Sequence, residues 1–246
     1  MAKPAKSDRQ KVLDDLKKKQ KSAESRRGMM IVGVCVVIAL LLVGAAAYQP
    51  IKNWWDLRQF NDVDLASIGG PADVCGEIET KTAEGNNDHR PTGEQVTYPD
   101  APPATGPHWN EGGVAPAPID KRFYTEDDRP ELEALVHNLE HGYTILWYDQ
   151  SIADDDGKLT EVEGIAKKLD VSDSNFRFKF IAAPWTSEDE DESGKFPEGQ
   201  HVALTHWKAG DKPVGIWQYC TEPSGEALKQ FMDDYPYTDS PEPNVP

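Results

Sequence analysis

The chain has 246 residues, and its 43 acidic residues outnumber the 26 basic ones, which gives a formal net charge of −17. A charge of this sign argues against nucleic-acid binding, because nucleic-acid-binding proteins need a basic surface to contact phosphates. Only 38% of the residues are hydrophobic, which excludes a transporter with many apolar membrane spans.

One uncharged segment divides the charge along the chain. Residues 1–28 contain ten basic and four acidic residues, residues 29–48 contain none of either, and residues 49–246 carry the remaining charge of −23. An apolar segment of this length can cross the hydrocarbon core as a helix, and Lys and Arg in front of it favour a cytoplasmic N-terminus. We therefore predict a basic cytoplasmic tail at 1–28, a single-pass transmembrane helix at 29–48 in the cell membrane, and an extracytoplasmic remainder.

A cleaved signal peptide is the alternative interpretation of the apolar segment. The sequence Ala45-Ala46-Ala47 has the small residues of a cleavage site. The long charged region in front of the segment and the length of the segment itself favour a retained anchor. Both interpretations export residues 49–246.

The exported part is predicted to hold one folded domain between two less regular segments. Residues 49–70 predict a stalk, which ends at the helix-breaking sequence Gly69-Gly70-Pro71. Residues 71–237 are enough for one hydrophobic core. Residues 238–246 are rich in proline and polar residues and predict a flexible tail.

The folded domain is predicted to be α+β, with a mixed or antiparallel sheet and a few flanking helices. Helical spacing of Leu132, Leu135 and Leu139 predicts a helix that ends at Gly142. The acidic run 188–192 is predicted to be a solvated loop. The remaining predicted elements are strands at 143–148, 176–182, 201–207 and 214–219 and helices at 160–169 and 226–233.

Two cysteines lie outside the apolar segment, Cys75 and Cys220. An even number of cysteines in an exported domain favours a disulfide between them. Two buried thiols are the alternative. A two-cysteine metal site is disfavoured, because the spacing lacks the CxxC character of such a site.

The six histidines all follow the apolar segment, and three of them predict a metal site. His137 and His141 are four residues apart on the predicted helix and therefore share a face. His108, in a loop stiffened by proline, would complete a three-histidine site. His206 and Glu140 are possible further ligands, and copper or zinc would suit imidazole.

The string His137-x-x-Glu140-His141 also matches the HxxEH pattern of inverted zinc peptidases. In those enzymes the histidines bind zinc and the glutamate acts as general base. Glu140 is the one catalytic residue of this alternative, a zinc-dependent hydrolase. The pattern has only five positions, so we expect a protein that is not an enzyme.

The remaining alternative is a structural one. Histidines near the C-terminus of a helix can bond free carbonyl groups there without any metal. In that case the domain would be an accessory subunit of an envelope complex, and its function would lie in binding an envelope protein partner.

Three motifs in combination resemble the bacterial domain of unknown function 3105 family. They are PPATGPH at 102–108, VHNLEHGYTILWY at 136–148, and Cys220 followed by PSGEALKQF at 223–231. The resemblance covers roughly residues 72–245. It implies an exported, single-pass protein with one compact domain, of the type common in actinobacteria.

The pattern of that family falls on five positions near the predicted metal site, namely His108, His137, Glu140, His141 and Gly142. Many members of the family lack a histidine at the position of His206, so the resemblance does not support His206 as a shared ligand. The resemblance implies no activity.

Overall fold

The computed structural model describes residues 8–83, 87–118, 120–170 and 178–245. The chain divides into two units, Met1–Trp55 and Asp56–Pro246. The first unit is built from one long helix, α1 (Asp8–Asp56), which contains the predicted segment 29–48. Among the described residues, α1 belongs to the one helical stretch that is long and apolar enough to cross a membrane. Residues 1–7 of the predicted basic tail lie outside the described residues.

The second unit confirms the predicted α+β class. Its described strands are β1 (Glu79–Thr82), β2 (His89–Arg90), β3 (His108–Trp109), β4 (Thr144–Tyr148), β5 (Phe180–Pro184), β6 (Val202–Lys208) and β7 (Val214–Cys220). Its described α-helices are α2 (Leu132–Glu140), α3 (Gln150–Ala153), α4 (Asp156–Leu169), α5 (Ser187–Ser193) and α6 (Gly225–Asp234).

The central sheet has the strand order β1-β7-β6-β4-β5. The strands β4 and β5 pair in parallel, and the other neighbours pair antiparallel, so the sheet is mixed. The prediction of a strand from residue 176 falls partly on residues outside the described ones, and the observed strand begins at Phe180. The strand β1 was not predicted, because its sequence ETKT is polar and all four residues are exposed.

Strand β4 lies between two apolar layers. Leu146 and Tyr148 contact the layer that contains α4 and α6. Ile145 and Trp147 contact the opposite layer, which contains α2. Successive side chains of a strand point to opposite faces, so a strand covered on both sides must be apolar throughout, as TILWY nearly is.

The acidic run at 188–192 forms most of helix α5, so the prediction of a solvated loop was wrong. Thr186 and Asp189 form a capping box at the start of this helix. Asp189 is also buried in a two-point ion pair with Arg129, with distances of 2.8 and 3.1 Å. The sequence alone did not show this, because Arg129 is 60 residues away.

Cys75 and Cys220 form the predicted disulfide. Backbone hydrogen bonds continue on both sides of it, from Gly76 to Tyr219 and from Thr221 to Val74.

The part of the predicted stalk after Asp56 also packs within this unit. Phe60 is buried against α4. Its ring lies so close to Gly164 that a Cβ on Gly164 would be only 2.4 Å from the ring.

The residues that follow α6 form what we call the C-terminal strap, residues 237–245. Residues 238–246 are predicted to form a flexible tail, and the described residues among them, 238–245, make specific contacts in the structure. Asp239 binds His206, and the backbone N–H of Glu242 donates to the carbonyl of Glu140 at 2.9 Å. Gly142, with φ +94°, permits this approach, since a Cβ there would lie 2.5 Å from the carbonyl oxygen of Tyr237.

Candidate metal centre

Helix α2 supplies two of the polar side chains at the site, His137 and Glu140. All nine residues of the helix are buried, including these two. Residues three apart are neighbours on a helix surface, so the imidazole and the carboxylate lie on the same side. The helix ends directly after Glu140, where His141 is the C-cap residue and Gly142 takes a positive φ.

His108 reaches the same point from the proline-rich loop, at the start of β3. Its side chain is fully buried. Its Nδ1 lies 2.9 Å from the carbonyl oxygen of Gly106, and its Nε2 lies 2.9 Å from Oε2 of Glu140. Since a carbonyl oxygen only accepts, Nδ1 is a protonated donor, and it is Nε2 that faces the carboxylate.

The loop that carries His108 is held by side chains that form hydrogen bonds with its backbone. The hydroxyl of Tyr98 donates to the carbonyl of Pro107 at 2.8 Å. Asn138, on α2, accepts from the N–H of Ala117 and donates to the carbonyl of the same residue. These bonds tie the loop to the helix and so fix the distance between His108 and the α2 residues.

His89 is the fourth member of the site. The sequence patterns assign it no role. It lies on β2, where it pairs in register with His108 on β3. Its Nε2 is 3.7 Å from Oε2 of Glu140, and its ring centroid is 5.1 Å from that of His108. The one weak signal in the sequence is that His89 is among the six histidines. Only the pairing of β2 with β3 in the tertiary structure shows which residues lie beside His89.

These four residues, His89, His108, His137 and Glu140, form what we call the His3Glu cluster. One ligand atom from each lies within 4.8 Å of all the others. A tetrahedral ion with bonds of about 2.0–2.1 Å separates its ligand atoms by about 3.4 Å. The cluster is therefore close to the size of a four-coordinate site, and a pair of ligand atoms at the 4.8 Å limit would need to approach by about 1.4 Å.

The hydrogen bonds of the cluster decide its charges. Burial by itself would raise the pKa of Glu140, but the hydrogen bonds from His108 and the Asn87 backbone N–H outweigh it and hold this pKa at about 2. Burial lowers the pKa of His137 to about 4, with the neighbouring His141 and His108 acting in the same direction. At neutral pH the site thus offers an ionised carboxylate and a neutral imidazole, which are the forms that bind metals.

His137 also has the tautomer that a metal ligand needs. Its Nδ1 donates to the carbonyl oxygen of Trp109 at 2.7 Å. This leaves the lone pair on Nε2, and a carbonyl acceptor behind the ring is the usual outer contact of a metal-bound histidine.

The structure does not bring His141 into the cluster. Its ring is adjacent to that of His137, with centroids 4.5 Å apart, as the spacing of four residues predicts. Its Nε2, however, lies 3.7 Å from Oε2 of Glu242 in the C-terminal strap.

His206 also lies elsewhere. Its Nε2 is 2.7 Å from Oδ1 of Asp239, and its Nδ1 is 3.4 Å from the carbonyl of Tyr143. The next residue on β6, Trp207, contacts the His108 ring instead. Adjacent residues of a strand face opposite sides, so His206 points away from the cluster.

The fold and the site define a class of protein: a mixed α+β domain, preceded by an apolar helix, with a histidine and glutamate cluster at one helix end. The chain belongs to the DUF3105 family of proteins of unknown function, whose model matches residues 89–246, or 158 of the 246 residues. The matched region begins at His89 and includes the whole His3Glu cluster. No curated protein and no solved structure gives a significant match.

Proposed function

We propose that this protein binds one divalent transition-metal ion, Zn²⁺ or Cu²⁺, in the His3Glu cluster. The observation that carries the proposal is the convergence of three imidazoles and one carboxylate from three separate parts of the chain, with ligand atoms within 4.8 Å of one another. Imidazole nitrogen and carboxylate oxygen are ligands that suit both ions.

The buried carboxylate supports this proposal further. Glu140 is fully buried, and each of its two oxygens accepts a hydrogen bond that stabilises its charge. A metal ion bound to Nε2 of His108 and Oε2 of Glu140 would replace the hydrogen bond between them. It would bring two positive charges to a site that already holds a negative one.

Elemental analysis of the full-length protein in detergent tests the proposal. After dialysis against Zn²⁺ or Cu²⁺ and removal of loosely bound metal by gel filtration, we expect one ion per chain. The variant His137→Ala should lose it. The matched variant His201→Ala should keep it, because His201 contacts Asp149 and Ser151 outside the cluster. A metal-free wild type, or equal metal content in both variants, would contradict the proposal and favour a structural role of the histidines.

We do not extend the proposal to a zinc hydrolase. In the HxxEH mechanism both histidines bind the metal and the glutamate stays free to act as base. Here the carboxylate of Glu140 accepts from the N–H of Asn87 and lies against His108. His141 lies against Glu242. The arrangement supports Glu140 as a ligand.

The proposal places the folded domain on the extracytoplasmic side of the cell membrane, with the chain anchored by α1. The basic residues before the apolar segment favour this orientation. The Cys75–Cys220 disulfide is typical of an oxidising compartment. An envelope partner stays a prediction.

Labelling of membrane vesicles with a membrane-impermeant reagent tests this orientation. With vesicles that keep the outer face outside, we expect the folded domain to be labelled by a membrane-impermeant reagent and the N-terminal tail to be protected. Inverted vesicles should give the reverse result. Labelling of the domain only in inverted vesicles would overturn the proposed orientation.

A further inference from the structure

The four residues of the His3Glu cluster differ sharply in how they are held, and this difference carries an inference that rests on the proposed metal site. We propose that the coordination position of His89 is exchangeable, so that an imidazole from outside the domain replaces His89 on the bound ion. Such an imidazole is the side chain of a histidine on an approaching polypeptide. The other three ligands form a fixed platform for the ion.

Burial separates His89 from the other three residues. The side chains of His108 and Glu140 are fully buried, and His137 is 3% exposed. The side chain of His89 is 37% exposed. Of the four possible ligand positions, this is the one that faces solvent, and a ligand arriving from solution would meet the ion there.

The four residues also differ in how firmly the domain holds them, and again His89 is the one held least. His137 and Glu140 lie on a helix whose residues are all buried, and His108 has both ring nitrogens in hydrogen-bond contact with the domain. His89 lies on β2, whose two residues are exposed and half-buried, whereas both residues of the paired strand β3 are buried. The nearest amide contact of His89 is the exposed side chain of Asn110, 3.2 Å from Nδ1.

The distances agree with this division. Nε2 of His108 is 2.9 Å from the Glu140 carboxylate, whereas Nε2 of His89 is 3.7 Å from the same oxygen. His89 is therefore not held to the carboxylate by a hydrogen bond, whereas His108 is. The His89 side chain can leave the ion by a rotation into solvent, without moving helix α2 or the loop of His108.

The exchange is chemically simple. The bond from the His89 nitrogen to the metal breaks, and a bond from the incoming imidazole nitrogen forms. Each imidazole binds the ion through the lone pair of one nitrogen, so the step needs no oxidant or reductant. An ion held in this way can pass to another histidine-bearing protein, whereas four buried ligands would retain it.

The test uses the full-length protein in detergent, loaded with Cu²⁺. Imidazole labelled with ¹⁵N is added to the wild type at millimolar concentration while the electron paramagnetic resonance spectrum is recorded. Because one imidazole replaces another, the donor set stays the same, and we expect the nitrogen hyperfine pattern to show one ¹⁵N ligand, with copper still bound at one ion per chain. This arm needs no variant, so it does not depend on how a substitution folds.

Variants provide the second arm. His89→Ala should keep one copper ion per chain and release it to a chelator at least about tenfold faster than the wild type, the scale on which single contacts of metal sites act. Added imidazole should slow that release and give both proteins the same spectrum. His137→Ala, which removes a platform ligand, should lose the ion.

The outcomes separate the two proposals. A wild type that binds no metal would contradict both the proposed function and this inference. A wild type that binds copper, with a spectrum that shows no ¹⁵N ligand after the labelled imidazole is added, overturns only the inference. Loss of copper from His89→Ala as complete as from His137→Ala also overturns only the inference, because His89 would then be an indispensable ligand.

Discussion

Single polar side chains in this domain hold long stretches of irregular backbone. Asn138 is the clearest example, because its amide accepts from the N–H of Ala117 at 2.9 Å and donates to the carbonyl of Ala117 at 3.2 Å. Ala117 and Asn138 are both buried, so water cannot replace these bonds easily. A buried polar group that loses its partner costs about 1–3 kcal/mol.

We therefore predict that Asn138→Ala lowers the free energy of unfolding by about 2 kcal/mol. The measurement is denaturant unfolding of the full-length protein, followed by tryptophan fluorescence. The control is Asn244→Ala, which makes the same substitution at an exposed position and should leave the transition unchanged. Equal stability of the two variants would show that the Ala117 contacts do not stabilise the fold.

His137 makes the stability of the metal-free protein depend on pH. Its pKa is lowered to about 4 in the folded state from an ordinary value of 6.5, mainly by burial. Between these values the unfolded chain binds a proton that the folded chain does not. Stability is therefore fully present above about pH 6.5 and falls as the pH drops towards 4, by at most about 1.4 kcal/mol per pH unit.

The expected result is that His137→Gln flattens this pH dependence. The free energy of unfolding is measured for both proteins in the presence of a chelator at pH 7 and at pH 5. The difference between wild type and variant should be smaller at pH 5 than at pH 7, because only the wild type loses stability through this residue. A difference that does not change with pH would refute the assignment.

At the scale of elements, the C-terminal strap is bound by a buried lysine. Lys179 lies directly before β5 and is 3% exposed. Its ammonium group donates to the carbonyl oxygens of His141, Pro243 and Val245. It thus joins the end of helix α2, beside the His3Glu cluster, to the last residues of the strap.

Lys179→Met should release the strap and lower the free energy of unfolding by about 2–4 kcal/mol, because three hydrogen bonds from a charged group are lost. Limited proteolysis with mass spectrometry should show faster cleavage after residue 235 than in the wild type. Lys195→Met is the matched control, since the Lys195 side chain is largely exposed, and it should behave as the wild type does. An intact strap in Lys179→Met would contradict this role.

At the scale of the whole molecule, the disulfide joins the two ends of the domain. It closes a loop of 145 residues, and the chain-entropy model gives about 4–5 kcal/mol for a loop of this size. We predict that Cys75→Ser combined with Cys220→Ser lowers the free energy of unfolding by about this amount.

The measurement is again denaturant unfolding of the full-length protein, with and without reductant. Reductant should destabilise the wild type and have no effect on the double variant. Cys35→Ser, which changes the cysteine in α1, should respond to reductant as the wild type does. A wild type insensitive to reductant, despite quantitative reduction of the bond, would show that the disulfide does not stabilise the domain.

Several elements were predictable because their patterns are local. The spacing of Leu132, Leu135 and Leu139 gave helix α2, and the apolar runs gave β4, β6 and β7. Helix α5 was missed, because its seven residues are nearly all acidic. What stabilises its first turn is a capping box together with an ion pair to Arg129, a distant residue.

The sequence by itself determined the charge asymmetry, the apolar helix, the α+β class and the predicted pairing of the two cysteines outside the apolar helix. These follow from composition, local periodicity and counting, which need no knowledge of distant contacts. Only the tertiary structure decided the membership of the His3Glu cluster. The pairing of β2 with β3 brings His89 in, and the C-terminal strap occupies His141 and His206. A site assembled from residues far apart in the chain is fixed by packing, which local patterns do not encode.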